Sequence, residues 1–179
     1  LFREYEFDNY MVRIAEETDT ESVIRLLQDT ASSLQKKGIL QWEYLLLGED
    51  TKEIEQGVVA GTTYVVEANG EMVAAFNFSS KQNDWDIALW GKRNDAAYYI
   101  HRLAVNPKYR HQQIGRKLLS WIDHNLKLEN GSVRLDCIAN NPVLNKFYLD
   151  AGFTFVGYGE QEEERFSKYE KIHQVEKEE

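Results

Sequence analysis

Residues Asn106 to Trp121 read NPKYRHQQIGRKLLSW. The stretch carries Lys108, Arg110, His111, Arg116 and Lys117 and no acid, in a chain whose formal net charge is −9. A β-rich run, AAYYIHRLAV, ends just before it at Pro107, whose missing N–H cannot continue a ladder. An amphipathic helix follows. A strand, a sharp stop, a basic glycine-containing loop and then a helix form a general arrangement for holding phosphate. The unpaired first-turn amides and the positive end of the helix dipole, about half a charge, point at an anion there. The plain alternative for the same residues is a solvated helix face. Gly115 is not followed by the Lys-Ser/Thr of a Walker loop and no G-x-G-x-x-G occurs, which disfavours ATP and dinucleotide binding.

These residues need a scaffold, and the pattern supplies one. Met11–Ala15 reads as a strand. Asp19 or Thr20 caps a helix with Val23, Leu26, Leu27 and Leu34 on one face, stopped near Gly38. GILQWEYLLLGED has no clear type, and TKEIEQGVVAG reads as a short helix ending at Gly61. TTYVVEA and EMVAAFNFS flank Asn69-Gly70, the pair that accepts a two-residue hairpin turn at little cost. SKQNDWDIALWGKRND reads as a polar loop holding Trp85 and Trp90.

The helix after Pro107 sets Ile114, Leu118, Leu119, Ile122 and Leu126 on one stripe, with Asn130-Gly131 as its expected stop. SVRLDCIA is a strand. Asn141 caps a helix with Pro142 at its first position and Leu144, Phe147, Tyr148 and Ala151 on its inner face, closed by Gly152. FTFVGY and RFSKYEKI form a closing strand pair around the acidic loop GEQEEE. The order β-α-α-β-β-β-α-β-α-β-β, with a long helical crossover, predicts an α/β (α+β) mixed sheet covered by helices.

Length and composition set outer bounds. At 179 residues, 42% apolar and 28% charged, the chain is of a size for one globular domain over 1–179, with 1–10 as an extension and 173–179 as a peripheral tail. Cys137 is the single cysteine, so no internal disulfide forms and a reducing compartment is the simpler expectation. No apolar run approaches ~18 residues, and LFREYEFDNY lacks the basic start of a signal peptide, so a cytoplasmic protein without membrane contact is expected. The acidic balance argues against nucleic-acid affinity.

The segment LAVNPKYRHQQIGRKLL resembles the acyl-CoA pyrophosphate loop of the GNAT superfamily of N-acetyltransferases, Arg/Gln-x-x-Gly-x-Gly/Ala. Arg110 and Gly115 take its first and last fixed positions, and Gln113 stands where the family usually has Gly. In an ordinary helical conformation Gln costs little there, whereas a positive φ would cost roughly 1–2 kcal/mol. LDCIANNPVLNKFYLDAGF resembles the family's later motif, with Asn140 at the strand's end and Tyr148 shortly before Gly152-Phe153. The strand YYIHRLAV also resembles the family's central strand, and together these matches, in order, cover Tyr98 to Phe153.

The resemblance implies a central mixed twisted sheet with a splayed parallel strand pair. It implies acetyl-CoA as co-substrate, with the pantetheine arm against the backbone of Leu103, Ala104 and Val105. The amides of Gln112, Gln113, Ile114, Gly115 and Arg116, with His111 beside them, would cradle the pyrophosphate. Lys108, Arg110 and Lys117 would serve the 3′-phosphate or raise the local potential. Asn140 would bond the pantetheine amide, the amide of Leu103 or Val105 the developing oxyanion, and Tyr148 the leaving thiolate. Transfer would be direct, onto a primary amine of a small molecule or peptide, by a monomer or homodimer.

The attacking amine must lose a proton. His101 is the first candidate to take it, because imidazole titrates near neutral pH. Asp136, Asp95, Asp86 and ordered water stay open. Tyr148 has an alternative reading as a core tyrosine, and Cys137 as a small buried residue. Four scattered His with one Cys offer no structural metal set. Trp42, Trp85 and Trp90 either wall an acceptor pocket or cover the core edge, and GEQEEE points to a cationic acceptor or is only a solvated turn. Two rivals to an enzyme remain: a GNAT-fold acyl-CoA-binding regulatory or interaction module, and a basic-loop nucleotide binder.

Overall fold

A computed structural model of the chain describes residues 1–39, 42, 45, 48 and 51–174. Its elements are β1 Glu6–Phe7, β2 Tyr10–Ile14, α1 Thr20–Lys36, α2 Thr51–Val59, β3 Thr63–Ala68, β4 Glu71–Ser79, α3 Asp84–Trp90, β5 Ala97–Val105, α4 Ile114–Asn125, β6 Asn130–Ile138, α5 Pro142–Asp150, β7 Thr154–Gln161 and β8 Glu164–Gln174. Two compact units appear. One holds Phe2–Phe78 and Arg102–Asn125; the other holds Ser79–His101 and Leu126–Glu179, with Leu1.

In the first unit β1, β2, β3 and β4 pair antiparallel in chain order. Alternation along the strands gives the sheet two apolar faces. Val65 and Ala75, a register pair, join Val23, Leu27 of α1 and Ile54 of α2 in a dry core, with Trp42 packed against it. Tyr64, Phe76 and Phe78 join Phe2 and Trp121 of α4 in an aromatic cluster; the Phe2 and Trp121 rings lie 4.4 Å apart. Full burial of each such side chain contributes about 1.5–3 kcal/mol. The Asn69-Gly70 turn forms as expected, with φ of 53° and 75°.

In the second unit the strand order is β5, β6, β8, β7. β5 runs parallel to β6, and β8 is antiparallel to both β6 and β7. The β6–β8 ladder runs the length of β6, from Asn130↔Gln174 to Ile138↔Phe166. The parallel ladder is short: Ala97↔Ser132, Tyr98↔Val133, Tyr99↔Arg134. Among the described residues the β5–β6 register ends at Tyr99↔Arg134, and the two strands part beyond it.

Several expectations need correction. The polar stretch around Trp85 is not a loop; α3 forms there, started by a reciprocal capping box between Asn83 and Asp86 and stopped at Gly91, φ 73°. The crossover helix begins at Ile114, after a single 3-10 turn at Pro107–Tyr109, and ends at Asn125; Asn130-Gly131 already belongs to β6. The acidic loop shrinks to Glu162-Glu163, both with positive φ, because ladder pairing carries β7 and β8 almost to the turn. On α5 only Tyr148 is buried, while Leu144, Phe147 and Ala151 are half-buried. Most of GILQWEYLLLGED, and positions 175–179 of the tail, lie outside the described residues.

Candidate active site

The basic loop between β5 and α4 is tied down from several sides. Asn106 donates its backbone N–H to Val73 O at 2.8 Å and its side-chain amide to Met72 O at 3.2 Å, and accepts from Lys108 N at 3.1 Å. Lys108 Nζ and the Tyr109 hydroxyl both reach Glu71. The Arg110 guanidinium donates to the Ser33 hydroxyl of α1, Tyr10 donates to Gln112 Oε1 at 3.3 Å, and Lys117 pairs with Asp8 at 3.0 Å. Lys108 and Lys117 are therefore each paired with a carboxylate.

Backbone shape matters more here than side-chain charge. His111 and Gln113 both sit in the left-handed region, φ 64° and 57°. Gln113 then opens α4, its carbonyl accepting from Lys117 N at 3.0 Å. The amides of Ile114, Gly115 and Arg116 precede Lys117, the first i→i−4 donor, and so stand among the first-turn N–H groups that a helix leaves without an intrahelical acceptor, the arrangement that receives anions. Ile114 is buried and anchors this turn, while His111, Gln112, Gln113, Arg110 and Arg116 are exposed. Upstream, Ala104 is buried in the core, with Leu103 and Val105 half-buried on either side. Arg102, just before them, holds φ 50° inside a strand and pairs with Glu53 of α2 at 3.1 Å. A left-handed residue within β5 interrupts its alternation and re-aims the residues that follow.

The second unit gathers ionisable groups on one face. His101 Nε2 stands 3.0 Å from Asp86 Oδ1 and 3.1 Å from Oδ2. Asp136 faces them from β6, and one ligating atom from each of the three residues lies within 4.8 Å of the others. The Trp85 indole N–H donates to both Asp136 oxygens, at 3.2 Å each, and its ring meets Phe166 edge-on. Desolvation pushes the Asp136 carboxyl up to about 6; His101 and the Trp85 hydrogen bond pull it down, and Asp86 pushes it further up. Such spacing would also suit a cation, but the contact with Asp86 already accounts for the position of the imidazole nitrogen.

Asp95, also weighed as a base, serves elsewhere. It accepts from Arg134 at 3.0 and 2.5 Å, which holds its carboxyl below the usual range. Trp90 packs against the same guanidinium, 5.4 Å from its ring centroid.

Tyr148 lies on the other face of β6. Register pairing puts Leu135 opposite Tyr169, and the Tyr148 ring sits 5.9 Å from Tyr169 and 6.1 Å from Phe153. Burial first, then the neighbouring Cys137 and Asp136, raise its phenol, so the hydroxyl keeps its proton across the neutral range. Cys137 is buried too, its thiol pushed up to about 12, which suits an inert core residue. Asn140 is exposed in the turn after β6 and lines a hollow of about 460 Å³ with Ile138, Tyr158 and Arg165. Its neighbour Asn141 is the helix cap, accepting from Leu144 N.

With the parted β5–β6 ladder, the anion-receiving helix start and the buried phenol in view, relationships to known proteins follow. Residues 60–155 match the family described as Acetyltransferase (GNAT) domain. The chain belongs to the GNAT acetyltransferase family. A curated GNAT relative, the uncharacterized N-acetyltransferase YesJ of Bacillus subtilis (strain 168), is 33% identical over 141 residues, 78% of each chain. A GNAT acetyltransferase structure from Listeria monocytogenes 4b F2365 is 30% identical, with a TM-score of 0.74 over 91% of this chain and 94% of that one. A more distant GNAT structure, PaiA N-acetyltransferase from Thermoplasma acidophilum in complex with coenzyme A, is 16% identical, with a TM-score of 0.63 over 90% and 98% of the chains. The expected fold, a mixed sheet with a parted parallel pair and flanking helices, is thus borne out.

One relationship escaped the sequence reading: Asp86 and His101 form a pair. The signal was present as Asn83-x-x-Asp86 before an apolar run, a helix-start signature that places Asp86 in the first turn of α3.

Proposed function

We propose that this chain is an acetyl-CoA-dependent N-acetyltransferase that moves the acetyl group directly to a primary amine of a small molecule or peptide. The observation that carries the reading is the start of α4. Two left-handed residues, His111 and Gln113, shape the loop that leads into it, and the amides of Ile114, Gly115 and Arg116 lie before its first i→i−4 donor, Lys117. The coenzyme A complex of the related PaiA fold supports the ligand assignment. Bound there, the thioester supplies an activated acetyl group. The amides of Gln112 to Arg116 hold the phosphates, with Arg110 and Arg116 adding charge at the rim. Leu103 to Val105 offer backbone groups to the pantetheine arm, and the amide of Leu103 or Val105 donates to the carbonyl oxygen as charge develops. Asn140 bonds the pantetheine amide. His101 takes the amine's proton, and Tyr148 meets the departing sulfur as an O–H donor. Amine N–H and thioester C–S bonds break, an N–C bond forms, and the sulfur leaves as thiol.

The test is a thiol-release assay with acetyl-CoA against a panel of primary amines, followed by mass spectrometry. A product heavier by one acetyl group is expected. Gln113 favours a second reading, a module that binds acyl-CoA without turnover, because a bulky residue occupies a left-handed position beside the phosphates. Tight CoA binding with no turnover of any amine would select it.

A further inference from the structure

We propose that Asp86, His101 and Asp136 work as one proton-holding unit, in which His101 accepts the amine's proton, Asp86 is the positioning residue that fixes the imidazole, and Asp136 is a second carboxylate that shares the charge. The proposal rests on the acetyltransferase reading above and adds how the proton is handled. Three elements build the unit. α3 brings Asp86, β5 brings His101, and β6 brings Asp136.

The geometry gives each residue its part. The Asp86 side chain is 1% exposed and that of His101 18%, so of this pair the ring is the more accessible to a ligand. Both Asp86 oxygens lie within 3.1 Å of Nε2, a contact that orients the imidazole and meets the positive charge it gains. Asp86 is itself fixed: Oδ2 accepts from Asn83 N at 3.1 Å, and its own N–H donates to Asn83 Oδ1 at 2.8 Å. Asp136 is held by the Trp85 indole, an N–H that can only donate and so favours the ionised carboxylate.

Among the described residues, the groups placed around the unit come from three elements. From α3 come Asp86 and the Trp85 N–H; from β6, Asp136; from β8, Lys168, whose register partner is Asp136 and whose Nζ donates to Leu89 O at 3.1 Å. Behind β6 stand the Cys137 thiol and the Tyr148 phenol. The proton passes from the amine nitrogen to the imidazole as the N–C bond forms, and the imidazolium then faces carboxylates on two sides. No oxidant, metal or further reactant is needed.

Trp85 supplies a readout that needs no catalysis. Its N–H bonds the Asp136 carboxylate, so the indole resonance in a proton–nitrogen spectrum, one of four in this chain, reports the protonation of Asp136. The experiment uses the full chain, Asp86→Asn, Asp136→Asn, and Leu89→Ala as a control that removes a buried side chain from the same helix. Asn at 86 keeps an oxygen for the Asn83 N–H, while an NH2 donor replaces the second oxygen beside Nε2, so the charge and one acceptor are lost. In the unaltered chain the Trp85 signal is expected to titrate near pH 6. Asp136→Asn should abolish the transition, Asp86→Asn should move it to lower pH, and Leu89→Ala should lower the melting temperature without moving it.

In acetyl transfer, Asp86→Asn should lower kcat about tenfold or more and alter its pH profile while leaving CoA affinity within about twofold. A Trp85 midpoint unmoved by Asp86→Asn, or moved equally by Leu89→Ala, would overturn the unit. A full kcat and unchanged profile in Asp86→Asn would remove its positioning role. Should no amine turn over, the acetyltransferase reading fails, and the Trp85 titration still decides whether the three groups share charge.

Discussion

Gln113 adopts φ 57°, and from that left-handed position its carbonyl accepts the first hydrogen bond of α4 from Lys117, at 3.0 Å. A residue with a Cβ therefore opens the helix at the point where the family pattern has Gly. The left-handed conformation costs an L-residue about 1–2 kcal/mol, and only the surrounding fold maintains it. Gln113→Gly should raise stability by roughly 1 kcal/mol, less the extra entropy of Gly in the unfolded chain. Calorimetric titration should show coenzyme A binding unchanged or tighter. Clear weakening would instead assign the Gln side chain a direct contact with the cofactor.

Tyr148 supplies the second prediction. Its phenol is buried and its proton is held across the neutral range. Such a group gives a hydrogen bond to a developing thiolate without needing to lose its proton beforehand. Tyr148→Phe keeps the ring packed against Phe153 and Tyr169 and removes only the hydroxyl. Steady-state kinetics should show kcat down about 10–100-fold with the KM for acetyl-CoA nearly constant. Unchanged kcat would leave Tyr148 as a core residue.

How far the sequence discloses this site depends on whether a feature is local. The Asn69-Gly70 hairpin, the Asn141-Pro142 helix start and the basic loop before α4 are written in adjacent residues, where backbone preference decides the outcome. α3 is also local, yet its seven residues bury only Asp86 and Leu89, so periodicity had little to register and the capping box was the available signal. Glu162-Glu163 shows the converse: ladder pairing on both sides forces a tight turn onto residues that composition assigns to a solvated loop. The meeting of Asp86, His101 and Asp136 depends on how α3 lies against the parted ends of β5 and β6, and no spacing encodes that. Each was visible as a candidate; their pairing was not.

Asp136 carries a pH dependence whose direction can be worked out. Its folded-state carboxyl is raised from the ordinary 3.8 to about 6, chiefly by desolvation. A raised acid favours the folded state fully below the unfolded pKa and loses that contribution as pH rises through the folded value. At neutral pH the ionised side chain is therefore a burden of about 1–2 kcal/mol, after discounting its partial exposure. Asp136→Asn should be more stable than the unaltered chain near pH 7.5, with the difference vanishing near pH 4. Urea unfolding at the two pH values measures it. An equal difference at both would mean packing, not charge, sets the effect.

Arg134 sits at the structural end of the same face. Its side chain is 3% exposed; it bonds Asp95 at 3.0 and 2.5 Å, Glu170 at 2.8 Å and the Tyr99 hydroxyl at 2.9 Å, with the Trp90 and Tyr99 rings beside the guanidinium. A lysine keeps the charge but cannot present the planar fork to two carboxylates and a phenol at once. Arg134→Lys should cost about 2–4 kcal/mol, read by denaturant unfolding near neutral pH, because the charge buried at position 134 is left underpaired. The pairing holds Asp95 below the usual carboxylate range, so its contribution is present above the unfolded pKa and fades as pH falls through the lowered value. The lysine variant should accordingly lose less stability than the unaltered chain between about pH 5 and pH 2. A variant that tracks the unaltered chain in acid would show that Arg134 acts through packing against Trp90 and Tyr99 rather than through its ion pairs.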